Sequence, residues 1–393
     1  MARNSASHWR LRYPEFVVFP SSFSEFLGNA AVIDNLRAAI ATGRLPHSLV
    51  IAGARGIGKY TLALMLAMAQ QCEVQPREQS SDGRELASFC GRCHNCTRII
   101  ESADLEVRVD EAIAAREEMQ SATDKKDTRI LVQTHPDVLI VPPDPPQLMI
   151  KLGQIRTVIH RAQYLPTEAP AKVFIITASS FMKEAANSLL KLLEEPPPFV
   201  HLILLTENPG ELLPTIRSRC AFARLGALPP EEIAELLATR RPEWSRTDRE
   251  LIGRLSDGAA GRALAFDLQE YTAARADALT LLAGLERTND HSTLFRTTET
   301  YRSGAEGQVK TAALLRALAS LLEDVLMLQS GAADRVRNID RRKDLERIAQ
   351  IVSFEWIESA MRAVDAAQNG MRRNLLRSLS LDALAFQLES AQL

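Results

Sequence analysis

No stretch of about 18 consecutive apolar residues occurs in the chain, so no membrane-spanning helix is expected. Residues 1–20 carry arginines but only the short apolar run Phe16-Val17-Val18-Phe19, too little for a secretory leader, which points to a cytoplasmic protein. Net charge is only −2, so no global basic surface announces nucleic acid; any DNA contact must come from a local patch or from partners. Glycine is scarce, 18 of 393 residues, while alanine and leucine are abundant, and both biases lean toward helix. Cysteine is scarce too, and five thiols in a cytoplasmic chain are not expected to form disulfides. What is present is ordinary globular composition, 46% hydrophobic and 24% charged, which excludes a largely disordered or collagenous chain. At about 150 residues per domain the length implies two to three domains.

Strand and helix signals alternate through the first 225 residues. Continuous apolar runs at Ser48-Leu49-Val50-Ile51-Ala52, Val138-Leu139-Ile140-Val141, Val173-Phe174-Ile175-Ile176 and Leu202-Ile203-Leu204-Leu205 read as strands covered on both faces. Helical spacing over 30–42, 61–69, 153–163 and 183–194 separates them, and Pro196-Pro197-Pro198 stops the last. The alternation implies a parallel α/β sheet flanked by helices. From Pro229 the strand signal fades. Short helices are expected near 230, over 245–255 and over 261–266, and long amphipathic ones over 307–330, 338–367 and 373–391. Residues 101–128 are charged, with acids in excess, and read as an exposed insertion.

Gly53-Ala54-Arg55-Gly56-Ile57-Gly58-Lys59-Tyr60-Thr61 has phosphate-loop spacing, directly after a strand and before a helix. Glycines let backbone N–H groups turn toward phosphate, and the helix N-terminus adds positive potential. The residue after the lysine should carry a short hydroxyl that ligates Mg²⁺. Tyr60 stands there, and its phenol is too long; Thr61 is rotated about 100° away. The strand 172–176 should end in acids that hold the metal and activate water, but Thr177 and Ala178 occupy those places, uncharged. Two independent losses argue against hydrolysis of ATP by this chain.

Cys90, Cys93 and Cys96 stand at x2 spacing, and Cys72 completes a four-thiolate set suited to a closed structural zinc site. His94 is an alternative fourth ligand, and free thiols or an iron–sulfur cluster are the competing readings. Cys220 reads as a small buried apolar residue. It closes Ser218-Arg219-Cys220, in which an arginine taken alone is weak evidence of anything but surface charge.

Several segments point together: Gly43-Arg44-Leu45-Pro46-His47 before the phosphate loop, Thr134-His135-Pro136-Asp137 before the next strand, Leu189-Leu190-Lys191-Leu192-Leu193-Glu194-Glu195-Pro196-Pro197 after the strand without acids, and Ser218-Arg219-Cys220. Together these resemble the bacterial clamp-loader subunits of the AAA+ family, over roughly residues 25–265. The resemblance implies an AAA+ domain over 1–226 with an inserted zinc module at about 72–100, a small helical lid over 227–270, and a helical collar over 271–393. It also implies a hetero-pentameric ring with gamma/tau and delta subunits, acting on a sliding clamp and primed DNA.

The departures narrow the role. Motor subunits of the family keep the hydroxyl after the lysine, the paired acids and a lid arginine; here those places read Tyr60, Thr177 with Ala178, and Gly261, with Arg262 one step displaced. The retained Arg219 then implies a rigid, non-hydrolysing ring member that presents its arginine in trans to a neighbour's ATP. The rival readings are an active gamma/tau-like motor with an unusual metal arrangement, and a zinc-containing AAA+ regulator unconnected with replication. The charged insertion is not explained by the resemblance.

Overall fold

The structure, a computed structural model, describes residues 19–119, 129–145, 147–283 and 304–372. The expectations for residues 1–18, for the end of the insertion (120–128) and for a helix over 373–391 lie outside the described residues. The chain forms two compact units, one built mainly from the residues before Pro230 together with 258–265, the other from 230–257 and the residues after 265.

The first unit runs α1 (Ala30–Ala41), β1 (Ser48–Ala52), α2 (Lys59–Gln71), a small hairpin β2 (Arg77–Gln79) and β3 (Glu85–Ala87), α3 (His94–Ile100), α4 (Leu105–Glu117), β4 (Val132–His135), β5 (Val138–Val141), α5 (Leu152–Ala162), β6 (Lys172–Ile176), α6 (Lys183–Glu194), β7 (Val200–Thr206), α7 (Pro214–Arg217) and β8 (Ala221–Arg224). Six strands make one sheet in the order β4-β5-β6-β7-β1-β8. All neighbours are parallel except β4 and β5, which pair antiparallel across the two-residue turn Pro136-Asp137. The parallel sheet flanked by helices that the sequence implies is present, and β4 adds an antiparallel strand at its edge.

Alternation along each strand divides the core. Leu49, Ile51, Ile140, Ile175 and Ile203 face α1, α2 and α3. Val50, Val141, Phe174, Ile176 and Leu204 face α5 and α6. Each of these side chains is at most 2% exposed, which is why the strands read as unbroken apolar runs. Helix α6 buries Ala185, Ala186, Leu189, Leu192 and Leu193, a stripe at helical spacing.

The insertion is not simply exposed. Helix α4 is capped by Asp104, whose carboxylate accepts the Val107 N–H, and it buries Val109 to 1%. Leu105, Ala112 and Ile113 pack on the same core. Positions 105, 109, 112 and 113 share one face of a helix, but the stripe is narrow and charged residues surround it. Arg116 then pairs with the buried Asp144 at 2.9 Å.

Helices α8 (Pro230–Arg240) and α9 (Arg246–Leu255) belong to the second unit, and α10 (Ala260–Leu264) returns to the first. The second unit continues with α11 (Leu268–Ala283), α12 (Gly304–Gln329), α13 (Arg342–Ile351) and α14 (Phe354–Arg372). Its core gathers Leu314, Leu318, Leu321, Val325, Leu345 and Trp356. The single helix expected over 338–367 is broken because Val352 is extended and the Ser353 hydroxyl accepts the Trp356 N–H, starting a new helix. Asp324, 1% exposed, accepts backbone N–H groups of Arg337 and Asn338 at 2.8 Å each.

Candidate functional site

The phosphate loop lies between β1 and α2, where the sequence places it. Gly56 (φ +79°) and Gly58 (φ +101°) adopt backbone conformations open chiefly to glycine, which gives the loop its curl. Lys59 is folded back on its own loop: its ammonium donates to the carbonyls of Gly53 (2.7 Å) and Ala54 (2.9 Å). Burial holds the Lys59 pKa below the ordinary lysine value; the Glu207 charge opposes this and Arg55 reinforces it. Glu207 escaped the sequence reading. It follows β7, the strand inserted between β1 and β6, and that strand order carries its charge to the loop. The Gly53 N–H donates to the Thr206 carbonyl of the same strand at 3.1 Å.

Tyr60 does not stand in for the missing hydroxyl. Its O–H donates to the Ser102 carbonyl at 2.6 Å, away from the loop and toward the segment before α4. Thr61 and Thr177 both line a cavity of about 240 Å³ at the mouth of the loop, while Ala178 packs into the apolar core beside α5 and α6. Helix α10 brings Gly261 and Arg262 to the loop. The Gly261 N–H donates to the Gly56 carbonyl at 2.8 Å, and a Cβ on Gly56 would lie 2.9 Å from the Arg262 backbone nitrogen.

The sulfurs of Cys72, Cys90, Cys93 and Cys96 all lie within 4.8 Å of one another, with Cys72 and Cys93 4.0 Å apart. A tetrahedral ion with Zn–S bonds of about 2.3 Å requires sulfur separations of about 3.8 Å. The donor set therefore fits one such ion. Backbone N–H groups of Gln75 and Cys90 point at the Cys72 sulfur (3.3 and 3.4 Å), and that of Cys93 at the Cys90 sulfur (3.3 Å), as thiolates require. Burial pushes the Cys90 thiol up, but the Arg92 and Cys93 N–H groups and neighbouring thiols outweigh it and hold its pKa at about 7. Burial raises the Cys72 and Cys96 thiols. His94 is not gathered with the sulfurs; its ring faces Glu168 (3.7 Å) and Arg98 (3.3 Å).

The Thr134-His135-Pro136-Asp137 segment fastens this cysteine module to the sheet. The His135 Nδ1 accepts the Asp137 N–H (3.1 Å), so its proton sits on Nε2, which donates to the Asn95 amide oxygen at 3.0 Å. The Asn95 amide nitrogen donates to the Gln71 carbonyl at 2.8 Å. Asp137, 2% exposed, accepts the N–H groups of Thr167, Glu168 and Ala169. His47 of the other motif is a strand-end fastener: its Nδ1 meets the Val200 carbonyl at 2.9 Å and its ring stacks on His201.

Arg219 follows α7 at the surface, with its side chain 34% exposed. Its guanidinium meets Glu194 at 2.5 Å, and donates to the Thr215 carbonyl (2.9 Å) and the Ser218 hydroxyl (3.2 Å). Glu194 closes α6, so two of the segments singled out in the sequence meet here. Burial pushes Cys220 up to about 11, the behaviour of a packed, inert thiol.

A family described as DNA polymerase III, delta subunit, matches residues 28–229, and the description DNA polymerase III, delta subunit, C terminal, matches 269–390. This chain belongs to the DNA polymerase III delta-subunit family. Within the wider group, the Escherichia coli DNA polymerase III subunit delta' is 29% identical over 308 residues, 78% of this chain and 77% of the relative. The gamma/tau subunit of Mycobacterium tuberculosis is 31% identical over 220 residues, 56% of this chain. The chain spans about a third, 31%, of the length of that relative. Among solved structures, a gamma-subunit-related protein of Thermotoga maritima aligns over 92% of this chain and 100% of its own at 16% identity, with a TM-score of 0.39. Among the described residues, no helix is long and apolar enough to cross a membrane.

Proposed function

We propose that this member of the delta-subunit family is the non-hydrolysing, delta-prime-like subunit of a bacterial clamp loader. In this reading it sits with gamma/tau and delta subunits in a hetero-pentamer that places the sliding clamp on primed DNA. The AAA+ domain takes residues 1–226, the lid 227–270 and the collar 271–393. Cys72, Cys90, Cys93 and Cys96 hold a structural zinc that braces the module around α3 and leaves no open coordination position.

The observation that carries the reading is the state of the phosphate loop. Lys59 is bonded to its own loop, Tyr60 is turned to Ser102, and the strand that should supply acids ends in Thr177 and Ala178. A loop without a metal hydroxyl or a metal carboxylate cannot assemble the charges that phosphoryl transfer needs. Arg219, by contrast, is solvent-accessible and already oriented by three partners on its own surface. An exposed pair such as Arg219–Glu194 is worth about 0–1 kcal/mol, so giving it up to meet a neighbour's phosphate costs little. A guanidinium fork is suited to that contact, since it stays charged and grips two oxygens at once.

The motor reading is separated by ATP turnover. The isolated chain should show negligible Mg²⁺-dependent turnover, and mixing it with gamma/tau and delta subunits should give one complex whose mass includes a single copy of it. Robust turnover abolished by Lys59→Ala would establish the motor reading instead.

A further inference from the structure

A chain that does not hydrolyse ATP can still bind it, and the wall of the phosphate-loop cavity bears on that separate question. The cavity of about 240 Å³ is lined by Arg55, Lys59, Tyr60 and Thr177 and also by Leu105, Glu106 and Val109. The second set comes entirely from α4, the charged insertion. It shares the cavity with Tyr60, the residue after the lysine, and with Thr177 at the end of β6, the two places that would jointly hold a metal.

Three attachments keep α4 there. Val109 is 1% exposed, sunk in the core beneath the sheet's α2 face. Arg116 pairs with Asp144, which is 2% exposed and is also held by Lys151 at 3.0 Å. Tyr60 bonds Ser102, which is fully buried just before the helix, so the residue that replaced the metal hydroxyl is itself a tie to the insertion. The wall is chemically hostile as well as close. Leu105 and Val109 offer no donors, and Glu106 sets a carboxylate where a triphosphate would bring several negative charges.

We propose that α4 is an internal stopper that keeps Mg²⁺–nucleoside triphosphate out of the phosphate loop. The proposal goes beyond absent hydrolysis: it assigns the insertion a function and makes the loop closed, not merely inert.

The test measures ATP binding by equilibrium dialysis, with Mg²⁺, on the full-length chain. Three proteins are compared: wild type, Glu106→Gln, and the double variant Val109→Asp with Arg116→Ala. Hydrogen exchange reports whether residues 105–117 have been released while β1 and β6 stay protected. Wild type should show no saturable binding. The double variant should gain it, Glu106→Gln should shift in the same direction by a smaller factor, and adding Lys59→Ala should remove the gain. Saturable binding by wild type at an affinity the substitutions leave unchanged would overturn the stopper. So would a double variant with a released α4 and intact sheet that still binds no ATP. Turnover recorded on the same samples separates the two readings, since wild-type binding that the substitutions leave unchanged, without turnover, defeats only the stopper, whereas wild-type turnover defeats the non-hydrolysing assignment.

Discussion

Asn95→Ala should unfasten the cysteine module from the sheet without touching a single thiol. Asn95 is 3% exposed and lies between Cys93 and Cys96, with its amide bridging the Gln71 carbonyl at 2.8 Å and the His135 Nε2–H at 3.0 Å. Truncation removes both bonds and leaves a buried carbonyl and a buried ring N–H with nothing to meet. Each such orphan costs about 1–3 kcal/mol, so the expected loss is about 2–6 kcal/mol. Against a total stability of about 5–15 kcal/mol this is a large fraction. In a unit of about 200 residues, at about 2–4 °C per kcal/mol, it corresponds to a fall in Tm of roughly 4–24 °C. Calorimetry of the full chain should show the transition of the sheet-bearing unit move while the helical unit's changes less. Thr97→Ala on the exposed face of the same helix is the control and should stay within about 0.5 kcal/mol. If the two variants melt alike, the His135–Asn95–Gln71 chain is not a structural buckle.

The four-thiolate set should carry about one zinc per chain. Cys93→Ser should lose the metal and expose residues 72–100 to protease while the main sheet remains folded; metal-free protein with undiminished local resistance would contradict it. Burial lowers the His201 pKa, with the Pro46 carbonyl opposing and His47 reinforcing that shift. Because the folded value lies below the ordinary value near 6.5, the unfolded chain takes up a proton first as pH falls. The stability from neutral His201 is therefore fully present above that value and is lost as pH drops toward the folded one. Melting at pH 7.5 and 5.5 should show this loss, and His201→Gln should flatten the dependence; an unchanged slope would assign the acid sensitivity elsewhere.

Legibility in the sequence followed burial symmetry. Strands β1, β5, β6 and β7 were readable because both of their faces are covered, so every position is apolar. Strand β8 was not, because it edges the sheet and exposes Ala221, Phe222 and Arg224. The β2–β3 hairpin was invisible for the same reason, since Arg77, Glu78 and Gln79 are all exposed. The α4 stripe was lost among its charges. In the candidate site, chain-local motifs were legible: the glycine loop, the cysteine spacing and the two missing acids. Their partnerships were not. His135 meets Asn95 across 40 positions, and Asp137 meets the 167–169 backbone across 30 or more. Glu207 reaches Lys59 only through the strand order, and Arg219 finds Glu194 only because α6 ends beside α7. Distances of that kind are set by topology, and no local pattern encodes them.

The central claim is that this chain contributes Arg219, and no hydrolysis of its own, to a neighbour's ATP site. The direct measurement is DNA- and clamp-stimulated ATP turnover by the reconstituted complex containing wild-type chain, Arg219→Ala or Arg219→Lys, with assembly verified by mass. The account predicts intact assembly, loss of one site's contribution with alanine, and only partial recovery with lysine, because a point charge does not reproduce the guanidinium fork. Equal turnover in all three complexes, with the isolated chain's stability changed by no more than the roughly 0–1 kcal/mol of its surface pair with Glu194, would contradict it.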